Sequence, residues 1–384
     1  MRVELIKWEI RKLWSLPMIV VFLLICILFN YLLLAEEVCW DGRIEYIQYV
    51  SKVTKEIGGQ MGTEFENILA KLPKQDEKEM LLAEISGKKD IFEEYHTAEL
   101  ADFYIQKFLI KGFTAEALKR KYQKLQVRVE ELAKRDAALS LSAAGVTKKL
   151  LDNLFGKLCR AVITEGILLA VFLALYACGN DEMQRTQLIV YTTKTGRYIQ
   201  REKWAASLIS AVFAYGLLAG SMLAVFAGVW RLGAIWKGNM SSQFYYVGDL
   251  GVKLPFVSWA DFSIAGYLAA VLFLGAVVVI VFHGIGFFAG LTTHHAYRGF
   301  ILFFVLMVLN FELMLLAGNS GLWGLYEIVQ WSPMALWWFQ PIWFSELGAS
   351  TLIAWQECWV ALFCLSGCAL LLIAAFRWFY KKEL

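Results

Sequence analysis

A nucleotide hydrolase needs a glycine-rich loop ending in Gly-Lys-Ser or Gly-Lys-Thr, where backbone amides and the lysine hold phosphates and the hydroxyl holds magnesium. The chain offers Gly87-Lys88 and Gly156-Lys157, but Lys89 and Leu158 follow them, so neither pair carries the hydroxyl. Any energy drawn from ATP must come through another chain. Glu130, Glu131 and Arg135 fit the E-E-x-x-x-R string of a glutamate-type membrane peptidase, yet they lie in a charge-rich stretch where such strings are common. His294 and His295 are adjacent, so they cannot share a helical face as the i and i+4 histidines of a zinc pair do. No catalytic centre, metal site or cofactor of this chain's own is expected.

Ionisable residues inside apolar runs remain, and their cost in that setting makes them functional candidates. They are Glu165, His283, Glu312 and Glu357. Glu165, with nearby Arg160, reads as standing at the water boundary of its run. Glu312 lies deeper, and either lines a polar path or is a structural group bonded to a neighbouring helix.

The elements carrying these residues are set by composition. Of 384 residues, 59% are apolar, 15% aromatic and only 18% charged, with 15 tryptophans, a type that collects at membrane interfaces. A hydrocarbon core of about 30 Å takes ~20 apolar residues in helical form. Six runs qualify: 17–35, 159–178, 204–230, 262–288, 299–317 and 353–376. The fold class is therefore an all-α polytopic membrane protein. A formal charge of +3 is too small and dispersed to suggest nucleic acid. Of the seven cysteines, Cys39 and Cys159 stand at the two feet of the longest polar segment and are either a disulfide or two free thiols.

Short loops rich in Lys and Arg stay in the cytoplasm. With both termini inside, that side holds thirteen basic residues, among them Arg2, Lys7, Arg185, Arg197, Lys203 and Arg298, against Arg231, Lys237 and Lys253 outside. Residues 1–16 read as an amphipathic helix lying on the inner surface, with Val3, Ile6, Ile10, Leu13 and Trp14 on one side and Pro17 opening the first span. Residues 36–158 mix 20 basic and 21 acidic residues and read as an extracytoplasmic helical domain between spans one and two. In it, Thr63 with Glu66 and Asp90 with Glu93 have capping-box spacing. Leu118, Tyr122, Leu125, Val129 and Leu132 form a seam for packing within the chain. Gly216 with Gly220, and Gly286 with Gly290, have the spacing that lets membrane helices approach closely. Residues 318–351, rich in Trp and broken by Pro333 and Pro341, read as folding back into the outer interface.

The segment from Asp181 to Lys203, DEMQRTQLIVYTTKTGRYIQREK, resembles the inner loop of the permease subunit of ABC type-2 transporters. Glu182, Leu188, Ile189, Thr192, Thr193, Arg197 and Lys203 fit that family's acidic residue, short Leu-rich helix, turn, arginine and lysine. Arg185 and Thr186 depart from it, standing where a glycine is usual, and no proline marks the turn. The resemblance implies that segment 182–201 of the loop 179–203 is a coupling helix docked on a nucleotide-binding ATPase subunit, which binds the ATP and magnesium, with the helix at residues 2–15 as a second contact. It also implies a second permease copy or paralogue, a path faced by spans two and five through Glu165 and Glu312, and a bacterial plasma membrane. The alternative reading is a membrane-anchored sensor or scaffold whose outer domain binds a ligand.

Overall fold

A computed structural model describes residues 2–38, 43–57, 76–86, 88–192, 196–249, 252–293, 295–346 and 350–381. Among the described residues, six helices are long and apolar enough to cross a membrane. The protein is a multi-pass, all-α membrane protein, with one short hairpin among the described residues. Helix α1 (Arg2–Trp14) stops at Ser15, and Pro17 opens α2 (Pro17–Val38) at the first helical position, where a missing N–H costs nothing.

The polar segment contributes α3 (Arg43–Glu56), α4 (Asp76–Ile85), α5 (Thr97–Lys107) and α6 (Phe113–Ala133). The predicted seam is the buried face of α6: Leu118, Tyr122, Leu125, Val129 and Leu132 pack against Phe92, Ala101 and Tyr104 of the same chain. Gln126 of α6 accepts the Thr97 N–H at 2.9 Å and so caps α5 from a neighbouring helix. Asp90 accepts from the Phe92 N–H at 2.7 Å and opens a 3-10 turn over Ile91–Glu93, where a capping box was expected. The Thr63 and Glu66 pair and Cys39 lie outside the described residues. Cys159 is buried.

Span two is longer than the sequence suggests. Helix α7 (Val146–Asp152) passes through a π-turn at Asn153–Leu158 into α8 (Cys159–Met183). Lys148, Lys149, Asp152 and Lys157 end the hydrocarbon-length run but do not end the helix. After the short α9 (Gln187–Tyr191) come α10 (Ile199–Trp230), a hairpin of β1 (Tyr246–Asp249) and β2 (Val252–Pro255), and α11 (Ile264–Thr293). The antiparallel hairpin pairs Tyr246 with Pro255 and Val247 with Leu254. It is an element the all-α expectation lacked.

Helix α12 (Ala296–Ser320) ends at Gly321, and α13 (Trp323–Gln330) and α14 (Pro333–Trp338) return along its last turns. Met314 packs with Val329 and Ala335, and the Phe311 and Trp338 rings lie 5.1 Å apart, so α13 and α14 pack on the helix before them. Helix α15 (Gln356–Lys381) completes the bundle.

Helix α8 is the central post, packed on α10 and α11 and touched by α2 and α12. Its most apolar stretch is 72% buried, against 17% for α12, which leaves α12 the most open span. Glycine sets the closest approaches. A Cβ on Gly179 would lie 2.5 Å from the Ala296 backbone nitrogen, and one on Gly290 would lie 2.9 Å from the Cys178 Cβ. A Cβ on Gly286 would lie 3.3 Å from Val171, so one of the two small-residue pairs packs α11 on α8. Gly216 and Gly220 face open space.

Both described chain ends lie at one end of the bundle, where Lys12 meets Asp181 and Arg197 meets Phe379. The polar insert and the loops around 260 and 345 lie at the other. The insert is fastened there. Arg128 donates to the Ser258 carbonyl at 3.1 Å and pairs with Asp261, which also pairs with Arg135. The buried Lys121 ammonium lies 3.2 Å from Glu346, which accepts the Tyr122 hydroxyl at 2.5 Å. A surface that looked solvated in the sequence is a clamp.

Candidate functional site at the terminal end of the bundle

The segment that resembles a coupling loop is held at both of its ends. Helix α8 ends in a Schellman motif: the Arg185 N–H reaches the Glu182 carbonyl and the Thr186 N–H reaches the Asp181 carbonyl, both at 2.9 Å. Arg185 has φ of 55°, the left-handed conformation that favours glycine. The residue that departed from the family pattern therefore keeps the backbone a glycine would adopt.

The acidic partner of Lys203 is Asp181. Lys203 donates to the Asp181 carboxylate, both side chains being almost fully buried, and Lys12 of α1 approaches the other oxygen at 3.5 Å. Glu9, also buried, completes the group. Burial pushes the Glu9 carboxyl above its ordinary value, the charges of Lys203 and Lys12 pull it back, and that of Asp181 pushes it further up. Two acids and two lysines thus balance one another where α1, α8 and α10 meet. Trp14 adds a bond to Ser210 at 3.2 Å. Helix α1 is bolted to the bundle, beyond simply lying on a surface.

Glu182, the residue singled out by sequence, is half-buried, and its Oε2 has no hydrogen-bond partner among the described residues. It lines a small gap with Gln200, whose Oε1 is likewise unpartnered. The spacing of one residue hid which acid faces inward. On the far side of the loop, Arg197 donates to the Phe379 carbonyl at 3.3 Å, Tyr198 and Tyr380 rings lie 4.7 Å apart, and Tyr191 meets Phe379 edge-on. Arg201 sits 5.2 Å over the Tyr380 ring.

Between these braces α9 projects Leu188 and Ile189, 68% and 69% exposed. The helix itself spans five residues, shorter than the segment 182–201 expected from sequence, because α8 continues to Met183 and α10 begins at Ile199. Thr192 is exposed beside them, its hydroxyl bonded to the Ile189 carbonyl at 2.8 Å. Thr193 lies outside the described residues.

The ionisable residues within spans divide into two groups. Glu165 is buried and accepts from Asn30 of α2 at 2.7 Å. His283 Nε2 lies 2.9 Å from the Ser207 hydroxyl, and Glu357 accepts the Phe344 N–H at 3.2 Å. These three are internal bonds. Glu312 is exposed on α12, with no bonded partner among the described residues. Arg160 stacks over Trp337 and Trp338, 5.0 and 5.2 Å from their centroids.

Among the described residues no cluster of His, Cys, Asp and Glu could hold a metal ion. Comparison of the chain with protein-family models, curated proteins and solved structures found no match.

Proposed function

We propose that the chain is the permease subunit of an ABC exporter, driven by ATP and magnesium bound in a separate nucleotide-binding subunit. The observation that carries this reading is α9: two apolar side chains stand exposed on a short helix fixed rigidly to two spans and to α15. An exposed apolar pair on a floppy loop would transmit nothing; a braced pair passes movement of a docked ATPase to α8 and α10. In this reading the braced end is cytoplasmic, as the basic residues favour, and the insert is extracytoplasmic. The setting is a bacterial plasma membrane.

A second copy or paralogue covers the open face of α12, which carries Glu312 toward the substrate path. Glu165, held by Asn30, supports the path helix and does not line it. The cargo is a peptide or small hydrophobic compound.

A sensor or scaffold is the second reading. It is favoured by an open groove of 380 Å³ on the insert, bordered by Tyr95, Phe103 and Tyr104 together with Glu94 and Glu99. The two readings separate on the inner loop. Substituting Glu182 or Arg197 abolishes export and ATPase docking in a permease and spares ligand binding in a scaffold.

A further inference from the structure

Helix α5 ends in a Schellman motif, with the Leu109 N–H on the Gln106 carbonyl at 3.3 Å and the Ile110 N–H on the Ile105 carbonyl at 3.0 Å. The left-handed position of that motif belongs to glycine, yet Leu109 occupies it with φ of 52°. Such strain persists only where the surrounding structure holds the residue in place. Leu109 is 75% exposed, and so is Phe113 four residues on. Such exposure of large apolar side chains is otherwise reached by Phe273 of span α11 at 74% and Ile328 of α13 at 73%.

The turn's position says what covers it. The Trp323 indole donates to the Phe108 carbonyl at 3.1 Å with the two rings edge to face, and Thr114 donates to Glu327. Both sides of the turn are therefore tied to α13, and Trp323 lies three residues beyond the end of span α12. The exposed Leu322 and Ile328 continue the apolar surface from that span. Lys107 and Lys111 flank the turn. Aliphatic and aromatic side chains level with a span's end, rimmed by lysine and tryptophan, make the composition of a membrane interface.

We propose that the turn between α5 and α6 is a lipid anchor, with Leu109 and Phe113 seated below the headgroups and Lys107 and Lys111 among lipid phosphates. The insert is then a membrane-resting domain, held by the bilayer as well as by its clamp to the loops. This rests on the span assignment alone and is independent of the permease reading.

The test uses the full chain in phosphatidylcholine and phosphatidylglycerol vesicles containing a phospholipid with a diazirine near the top of its acyl chain. After irradiation, digestion and mass spectrometry, residues 108–114 should carry label at the yield found around the exposed Leu362 and Phe363 of α15. That yield should be about tenfold above that around Val127, an exposed apolar residue elsewhere on the insert. Leu109→Gly combined with Phe113→Ser relaxes the cap and keeps the insert folded, and should cut labelling to the Val127 level with protease resistance unchanged. Labelling no higher than at Val127 in the unaltered chain, or a cross-link to a second copy in place of lipid, overturns the proposal.

Discussion

Asp181 at the end of α8 and Lys203 at the start of α10, 22 residues apart, form a buried ion pair across the loop that carries α9. Removing one partner of such a pair leaves the other charge buried and uncompensated, which costs about 3–5 kcal/mol. Asp181→Asn should therefore lower thermal stability in detergent by that order. Glu182→Gln, whose side chain makes no hydrogen bond among the described residues, should stay within ~0.5 kcal/mol. Equal losses in the two variants would mean that the pairing has been assigned to the wrong acid.

Helix approach at the same end depends on glycine. Gly179→Ala forces a methyl against the Ala296 backbone, which cannot rotate away, and should cost about 1–3 kcal/mol as overpacking. Gly216→Ala meets nothing among the described residues and should leave monomer unfolding in detergent unchanged. Unfolding temperatures of the two variants give the comparison.

The insert clamp has a defined acid response. Burial raises the Asp261 carboxyl, but hydrogen bonds and charge from Arg128, then Arg135, outweigh it and hold it below the ordinary 3.8. A depressed carboxyl stabilises above its unfolded value and loses that contribution as pH falls through the lower folded one. The clamp should thus stay closed at pH 5 and loosen only below 3.8, read as protease sensitivity of α6. Asp261 is 39% exposed, so Asp261→Asn should cost only ~0.2–1 kcal/mol. Arg128→Met, which also orphans the buried Ser258 carbonyl, should cost about 1–3 kcal/mol.

Glu165 and Glu312 should separate in function and stability. Glu165→Ala leaves Asn30 buried without its acceptor and should destabilise by about 1–3 kcal/mol. Glu312→Gln should leave stability within ~0.5 kcal/mol while lowering turnover of the proposed exporter. Unchanged turnover at normal protein levels would remove Glu312 from the substrate path.

Much of this architecture was legible from residue order. The centres of all six spans follow from apolar length, the break before α2 from Pro17, and the packing face of α6 from the spacing between Leu118 and Leu132. What was hidden depends on contacts distant in the chain. Arg128 and Asp261 are 133 residues apart, and each alone looks like an ordinary solvated charge. The lengthening of span two was masked because Lys148, Lys149, Asp152 and Lys157 stop an apolar run without stopping a helix. At the site, Leu188 and Ile189 were legible as an apolar pair. The choice of Asp181 over Glu182 was not, because it turns on which side of α8 faces α1 and α10.

The central claim is that Leu188 and Ile189 are the contact for an ATPase, and its most direct measurement is gentle isolation of the chain from its native membrane followed by quantitative mass spectrometry. A P-loop ATPase should accompany the unaltered protein near equal stoichiometry. The Leu188→Asp, Ile189→Asp double variant should lose it while its unfolding temperature holds, since both side chains are exposed. Absence of any such ATPase under conditions that preserve other membrane complexes, or its full retention by the double variant, would contradict the account.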